Sequence, residues 1–391
     1  MTFDVVIVGG AAHGASLAYH LAAAGFGRRV LVIDKDPTFR TAATALSAGS
    51  IRQQFSTAVN IEISLFGIRF LRDIGAILEV DGDRPEIGLR EDGYLFLATR
   101  GAGAAALAEN HKLQVSLGAD ILHLDARQLV ERFPYLATRD LSAGCWGRSG
   151  EGWFDGYGMM QAFRRKAGSL GVEFLAADVR AVERNSGQVD CVRLADGSTI
   201  SAGSVAVTAG TGTPRLIGDL GIPLPVQARK RFVFAFSCRE ELPGFPLLID
   251  PSGVYARPES ELYICGASPP PAEADPEATD FDVDHRFFEE TIWPVLAARV
   301  PAFERIKPGR AWAGHYDFNT FDQNAIIGPL PGLPNVLVAT GFSGHGLQQA
   351  PAIGRGLAEL IMHGRYATLD LSPLGYERVP AGKPIVERNV V

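Results

Sequence analysis

Cysteine is scarce and scattered. Cys145, Cys191, Cys238 and Cys265 form no CxxC pair, which argues against a zinc site and against a disulfide framework. The eight histidines show no HxxxH pairing either, so no metal is expected. No uninterrupted apolar stretch reaches the length of a membrane span. There is no long basic run and the formal charge is −7, so nucleic acid and anionic membranes are not expected partners. The first apolar run, Val5 to Val8, starts so near Met1 that no signal peptide fits before it, and a cytoplasmic location is expected. No internal repeat of roughly 20–50 residues and no low-complexity linker divides the chain.

What remains is a chain of 391 residues, 47% hydrophobic, enough for two domains or one bilobal unit with sizeable cores. Its opening, "DVVIVGGAAHGASLAYHLAAAGFGRRVLVIDKDP", reads as strand, tight turn, helix, strand. Val5–Val8 is all apolar, as a parallel strand covered on both faces should be. Gly9, Gly10 and Gly14 mark the turn and the helix start, and Asp34 closes the second strand 20 residues after Gly14. That spacing places a carboxylate where the ribose hydroxyls of an adenine dinucleotide sit. Ala11 stands at the middle glycine position, the smallest possible intrusion. An acid at 34 disfavours a 2′-phosphate, and with it NADP. His13 reads as a helix-entry residue near the phosphates.

Further on, 58–73 has helical spacing, "EDGYLFLATR" reads as a strand, and 101–118 as a helix. A helix from 153 feeds a strand near 173. Turn signals at 185–187 and 196–197 suggest hairpins, and "VAVTAGTGTPRL" places Gly210 and Gly212 at a strand end brushing the cofactor. Strand-like runs between 227 and 266 suit a largely antiparallel sheet. The helix over 284–306 is interrupted by Pro294. An α/β unit thus opens the chain and another, "NVLVATGFSGHGLQQAPAIGRGLAELI", closes it. In the latter, Gly341, Gly344, His345 and Gly346 sit at the mouth of a helix. Free N–H groups and a partial positive charge at that position suit an electron-rich ligand.

These motifs, in order along nearly the whole length, resemble the FAD-dependent amine and amino-acid oxidoreductases of the D-amino-acid oxidase superfamily. Sarcosine oxidase, dimethylglycine dehydrogenase and D-amino-acid dehydrogenases belong to it. The resemblance implies an α/β fold: a Rossmann-like FAD-binding domain on 1–75, 145–220 and 310–391, and a substrate domain on 76–144 and 221–309. It implies FAD contacts at Gly9, Gly10, Ala12, His13 and Gly14, then at Asp34 and Lys35. Thr44, Ala45, Ser47 and Ala48 would run past the flavin ring. Val179, Ala209 and Gly210 would lie on the adenine and pyrophosphate side. Gly344, His345, Gly346, Leu347 and Gln348 would stabilise the reduced ring.

The resemblance also implies catalytic roles for Arg52, Tyr255, Arg257, His345 and Gln348. Arg52 falls where sarcosine-oxidase-like members hold the substrate carboxylate; an interdomain ion pair is the competing reading, as a plain helix cap is for His345. Gln348 stands where some oxidases place a second, lysine carboxylate ligand. Gly314 and Ser47 replace residues that tether flavin in relatives, so FAD is expected to be non-covalent. Tyr263 is expected to replace the lysine that helps oxygen react, which leans toward a dehydrogenase. Tyr255 and Arg257 flank Ala256 and are expected on one face of a strand, lining the substrate pocket. The implied reaction is oxidation of the C–N bond of an amine or amino-acid substrate by hydride transfer to flavin. Oxygen, a quinone or a carrier protein would accept the electrons. A 2-hydroxy-acid dehydrogenase and a flavoprotein that assists assembly of a respiratory complex are the alternatives.

Overall fold

The computed structural model describes residues 2–185, 188–269 and 275–388. Its first sheet runs in the order Ile326–Leu330, Leu333–Thr340, Thr199–Val207, Thr2–Val8, Val30–Asp34, Glu173–Ala176. All neighbours are parallel except the first pair. Val179–Asn185 and Gln188–Leu194 branch from Thr199–Val207 as an antiparallel ladder. The apolar runs form these strands because both sheet faces are covered. Val5 and Ile7 enter the layer on one side, Val6 and Val8 the layer on the other, as alternation along a strand requires. The first of these layers is closed by the helices Ala12–Ala23, Ala58–Arg72, Gly156–Ser169 and Gly346–His363.

Close backbone approach fixes the first turn. Gly9 has φ +99°, and a Cβ there would lie 2.6 Å from the Thr208 carbonyl oxygen. A Cβ on Gly14 would lie 1.9 Å from the Gly9 carbonyl oxygen, so only glycine lets the helix begin so near the strand. The last long helix crosses the first in the same way, with Gly354 against Ser16.

A second sheet of eight strands runs Ile306–Asn319, Val226–Cys238, Leu262–Gly266, Tyr255–Glu259, Leu247–Ile249, Tyr94–Thr99, Leu141–Gly147, Ile121–Asp125. It is antiparallel apart from Leu247–Ile249 beside Tyr94–Thr99. Ile306–Asn319 pairs along Val226–Cys238, so the boundary expected at 310 falls inside a strand of this sheet. Its core is aromatic, with Phe236, Phe245 and Phe303 buried behind the helix Trp293–Arg299. Pro294 cannot donate to the turn before it, and the chain takes one wider π turn at Phe288–Ile292 before the helix resumes. Arg299 fastens this layer by ion pairs to Asp250 at 2.7 Å and Asp140 at 2.8 Å.

The helix expected over 58–73 is observed at Ala58–Arg72, and that over 101–118 at Ala102–Ser116. The turn at 196–197 joins an antiparallel pair, with Gly197 at φ +86°. The turn at 185–187 lies largely outside the described residues. Among the described residues no helix is long and apolar enough to cross a membrane.

Substitution at the two turn glycines should separate sharply. In Gly10→Ala the new methyl meets the Val32 side chain at 3.0 Å, a contact that can give way at a cost of about 1 kcal/mol. Gly14→Ala drives it into backbone and should cost more than about 3 kcal/mol. Thermal melts of both variants should show a drop of at least about 3 °C for Gly14→Ala alone.

Candidate active site

The C-terminal ends of the parallel strands open into a cleft of about 590 Å3, the position where open α/β sheets bind ligands. One group of lining residues gathers round Asp34, with Lys35 and Val179; the Ala177 amide donates to the Asp34 carbonyl at 3.0 Å. The Asp34 carboxylate accepts from the Gly10 amide at 2.7 Å and the Asp36 amide at 3.0 Å. A second group gathers round Arg52, with Ser50, Tyr94, Tyr255, His345 and Gln348.

Two helix N-termini face this cleft, those of Ala12–Ala23 and Gly346–His363, and neither has a side-chain cap. The Ala12 amide reaches Thr44 Oγ1 at 3.4 Å; the remaining first-turn amides meet no side chain, and the partial positive charges of the two helices add. The turn before the second helix is held open by unusual backbone: Gly341, Ser343 and Gly344 have φ of +76°, +51° and +93°. Asp317, buried below it, accepts from the Gly341 amide at 2.6 Å and the Thr340 hydroxyl at 3.2 Å. Burial nevertheless pushes its carboxyl up to about 6.

His13 stacks on Phe342, ring centroids 3.9 Å apart. It thereby joins the first turn of the chain to the last. Burial pushes its imidazole down to about 4. His345 is likewise pushed down to about 4, first by burial and then by the Arg52 charge. Both rings are neutral at neutral pH, and the Nε2 atoms of both are buried without a hydrogen-bond partner in the protein.

Arg52 lies in an aromatic box. Its guanidinium is 4.2 Å from the Phe55 ring centroid, 5.3 Å from Phe96 and 5.9 Å from Tyr94. Its amide donates to Gln348 Oε1 at 2.7 Å and its Nη1 to the Gln54 carbonyl at 2.6 Å. Gln348 thus clamps the Arg52 backbone. Behind this segment stands Glu151, buried, accepting from the amides of Gln53 at 2.5 Å and Gln54 at 3.1 Å and from the Gln54 side chain at 2.7 Å. Burial pushes it up to about 7 against those hydrogen bonds. Burial likewise raises both tyrosine hydroxyls, Tyr94 and Tyr255, above their ordinary range.

Of the residues expected from sequence, Gly9, Ala12 and His13 line the cleft, as do Thr44, Ser47 and Ala48, Ala209 and Gly210, and Gly344 through Gln348. Gly10 and Gly14 sit behind the surface as parts of the turn. Ala45 and Arg257 line a second cleft instead. Arg257 donates to the Ala48 carbonyl at 2.9 Å and pairs with Glu259. Tyr263 is not at the cleft: it packs among Phe236, Phe245 and Phe303 in the core of the second sheet, so its identity carries no information about oxygen. Gly314 lines the cleft, and a Cβ there would meet Leu46 Cβ at 3.0 Å. Tyr94, Ser50, Glu151 and Asp317 went unread in the sequence. Tyr94 begins an apolar strand and resembles a core residue, while Glu151 acquires its partners only through folding.

The buried histidines set an acid limit. Between about pH 4 and 6.5 the unfolded chain binds protons at His13 and His345 that the folded chain refuses, so the stability these two rings contribute is lost as pH drops through that window, while protonation of Glu151 and Asp317 works in the opposite direction. In His13→Asn, urea melts from pH 5 to 6.5 should show a shallower slope of stability against pH, by up to about one proton.

The comparisons with known proteins agree with this geometry. The model of the family DAO, FAD dependent oxidoreductase, matches residues 4–360. The chain is 42% identical to FAD-dependent oxidoreductase domain-containing protein 1 of Xenopus laevis, over 99% of this chain and 85% of that one. It is 26% identical to human peroxisomal sarcosine oxidase, over 97% of each. In fold it is similar to L-proline dehydrogenase from P. horikoshii, with TM-score 0.84 at 23% identity over 97% of this chain and 98% of the other. An uncapped pair of helix N-termini, a turn so tight that only glycine lets the helix start beside the strand, and unpartnered histidine nitrogens all fit an FAD. The chain belongs to the DAO family of FAD-dependent oxidoreductases.

Proposed function

We propose that the chain oxidises the C–N bond of an amino acid or N-alkyl amino acid, releasing an imine that water hydrolyses. The observation that carries this reading is Arg52: a guanidinium boxed by aromatic rings on the cleft wall, beside two tyrosines. The sarcosine oxidase and the 4-methylaminobutanoate oxidase among its relatives are named for substrates with both an N-methyl amine and a carboxylate. Bound FAD supplies the acceptor for the hydride that leaves the carbon beside nitrogen.

The protein's own part is to bind and orient. Arg52 takes the substrate carboxylate with a fork that matches its two oxygens. Gln348 and Gln54 hold that arginine at its amide and its guanidinium. Tyr94 and Tyr255 keep their protons and so act as hydrogen-bond donors or acceptors without adding charge. The Arg52 charge and the aromatic rings around it favour the neutral amine, the form able to release a hydride, so orientation rather than a strong base is required. His345 and the amides at Gly346 and Leu347, on the cleft wall, would stabilise negative charge that collects on a bound flavin. No thiol stands at Gly314, and FAD is held without a covalent bond. In this reading the parallel sheet carries FAD and the antiparallel sheet the substrate, with Ile306–Asn319 serving both through Gly314 and Asp317.

Anaerobic titration of the FAD-loaded protein should show bleaching of the oxidised band by one or more N-methyl or free amino acids. Bleaching by 2-hydroxy acids alone, or by neither panel, overturns the reading. With a bleaching substrate in hand, Arg52→Lys should raise KM at least about thirtyfold, the equivalent of about 2 kcal/mol of lost bidentate contact. Its kcat should stay within about threefold, because the anchor acts equally in ground and transition states.

A further inference from the structure

The 44–48 segment is a wall with a cavity on each side. Thr44 and Ser47 line both the first cleft and a second one of about 600 Å3. The wall hangs from side chains on the second side. Trp312 Nε1 donates to the Leu46 carbonyl at 3.0 Å, and Arg257 Nε to the Ala48 carbonyl at 2.9 Å.

The chemistry of the second cleft differs from that of the first. Trp153, Trp312 and Tyr157 give it aromatic walls. Its charges largely cancel within the protein: Arg257 pairs with Glu259, Arg90 with Asp92, and Asp155 accepts from the Gly158 amide. Among the described residues no ion pair joins Arg310 to a carboxylate, and its guanidinium lies 5.1 Å from the Trp312 ring centroid. Aromatic faces under two guanidinium groups, Arg257 over Trp153 with its charge met by Glu259 and Arg310 over Trp312, suit a flat, uncharged molecule bearing carbonyl oxygens.

From this placement we propose that the second cleft receives the electron acceptor, a small quinone, so that amine and oxidant reach FAD from opposite sides of the 44–48 wall. The inference deepens the C–N reading and rests on it for the source of electrons. The overall exchange balances: the amine loses two electrons and two protons in becoming the imine, and the quinone gains both in becoming the hydroquinone. Separate sites let product leave one side while oxidant arrives at the other. The bonds from Trp312 and Arg257 to the wall give the occupant a route by which its arrival is felt at the cofactor.

The test uses the full FAD-loaded chain with 2,3-dimethoxy-5-methyl-1,4-benzoquinone as the probe. Without any amine, quinone titration should quench tryptophan fluorescence saturably and perturb the flavin absorbance. Arg310 is exposed on a strand, so Arg310→Trp fills the cleft mouth at little risk to the fold, and melting temperature checks this. Its quinone Kd should rise at least tenfold, and that of Arg310→Ala about threefold. In a second arm, FAD is reduced with dithionite instead of amine and the quinone is added anaerobically. Recovery of the oxidised band should slow at least tenfold in Arg310→Trp at subsaturating quinone. Dithionite keeps this arm readable even if no amine proves to be a substrate. Three results overturn the inference: no saturable quinone binding, equal Kd and recovery rate in both variants, or displacement of the quinone by a carboxylated amine, which would place both in the first cleft.

Discussion

The structure depends on how closely two helices can approach the chain that precedes them. Ala12–Ala23 starts against the Gly9 carbonyl, and Gly346–His363 crosses it where Gly354 meets Ser16. No residue with a Cβ fits at Gly14 or Gly354 without moving backbone or a buried side chain. That pair of contacts points two uncapped N-termini into one cleft. It also sets His13 on Phe342, and leaves the 341–344 turn to be propped from below by Asp317. Everything the cleft can hold follows from this convergence.

Much of this frame was legible before any coordinates. Two all-apolar runs, Val5–Val8 before Gly9 and Val30–Ile33 before Asp34, announce parallel strands, because strands covered on both faces tolerate such runs. The strained turn at Gly341–Gly344 was visible as glycine spacing. Arg52 was found by resemblance, and the structure brings it to the cleft. What the sequence could not convey was register and partnership. Tyr263 faces the aromatic core while its neighbour Ile264 lines the second cleft. A slip of one residue along a strand exchanges the two faces. Arg257 shares a face with Tyr255, yet the 44–48 wall stands between them and separates their cavities. Glu151 lies about a hundred residues from Gln53 and Gln54, and nothing local announces that their amides will enclose it.

The substrate end and the ring-edge end of the cleft are stabilised by opposite devices. Around Arg52 a permanent charge is buried and paid for by aromatic faces and backbone carbonyls. Around His13 and His345 burial instead removes charge, leaving neutral rings whose geometry does the work, while Asp317 below them keeps a carboxylate held by the Gly341 amide and the Thr340 hydroxyl.

The parallel sheet also has an order of assembly written into it. Its central strand, Thr2–Val8, is flanked by Thr199–Val207, and that strand in turn by Leu333–Thr340. These neighbours in space are therefore separated by about 130 to 200 residues. During synthesis the first glycine turn leaves the ribosome with no partner for its open amides, and the turn that faces it across the cleft is made almost last. Such long-range pairing folds slowly, and the cleft can close round its cofactor only near the end of that process. Cofactor loading is thus a late event, coupled to the docking of the C-terminal helix rather than to the folding of the N-terminal unit.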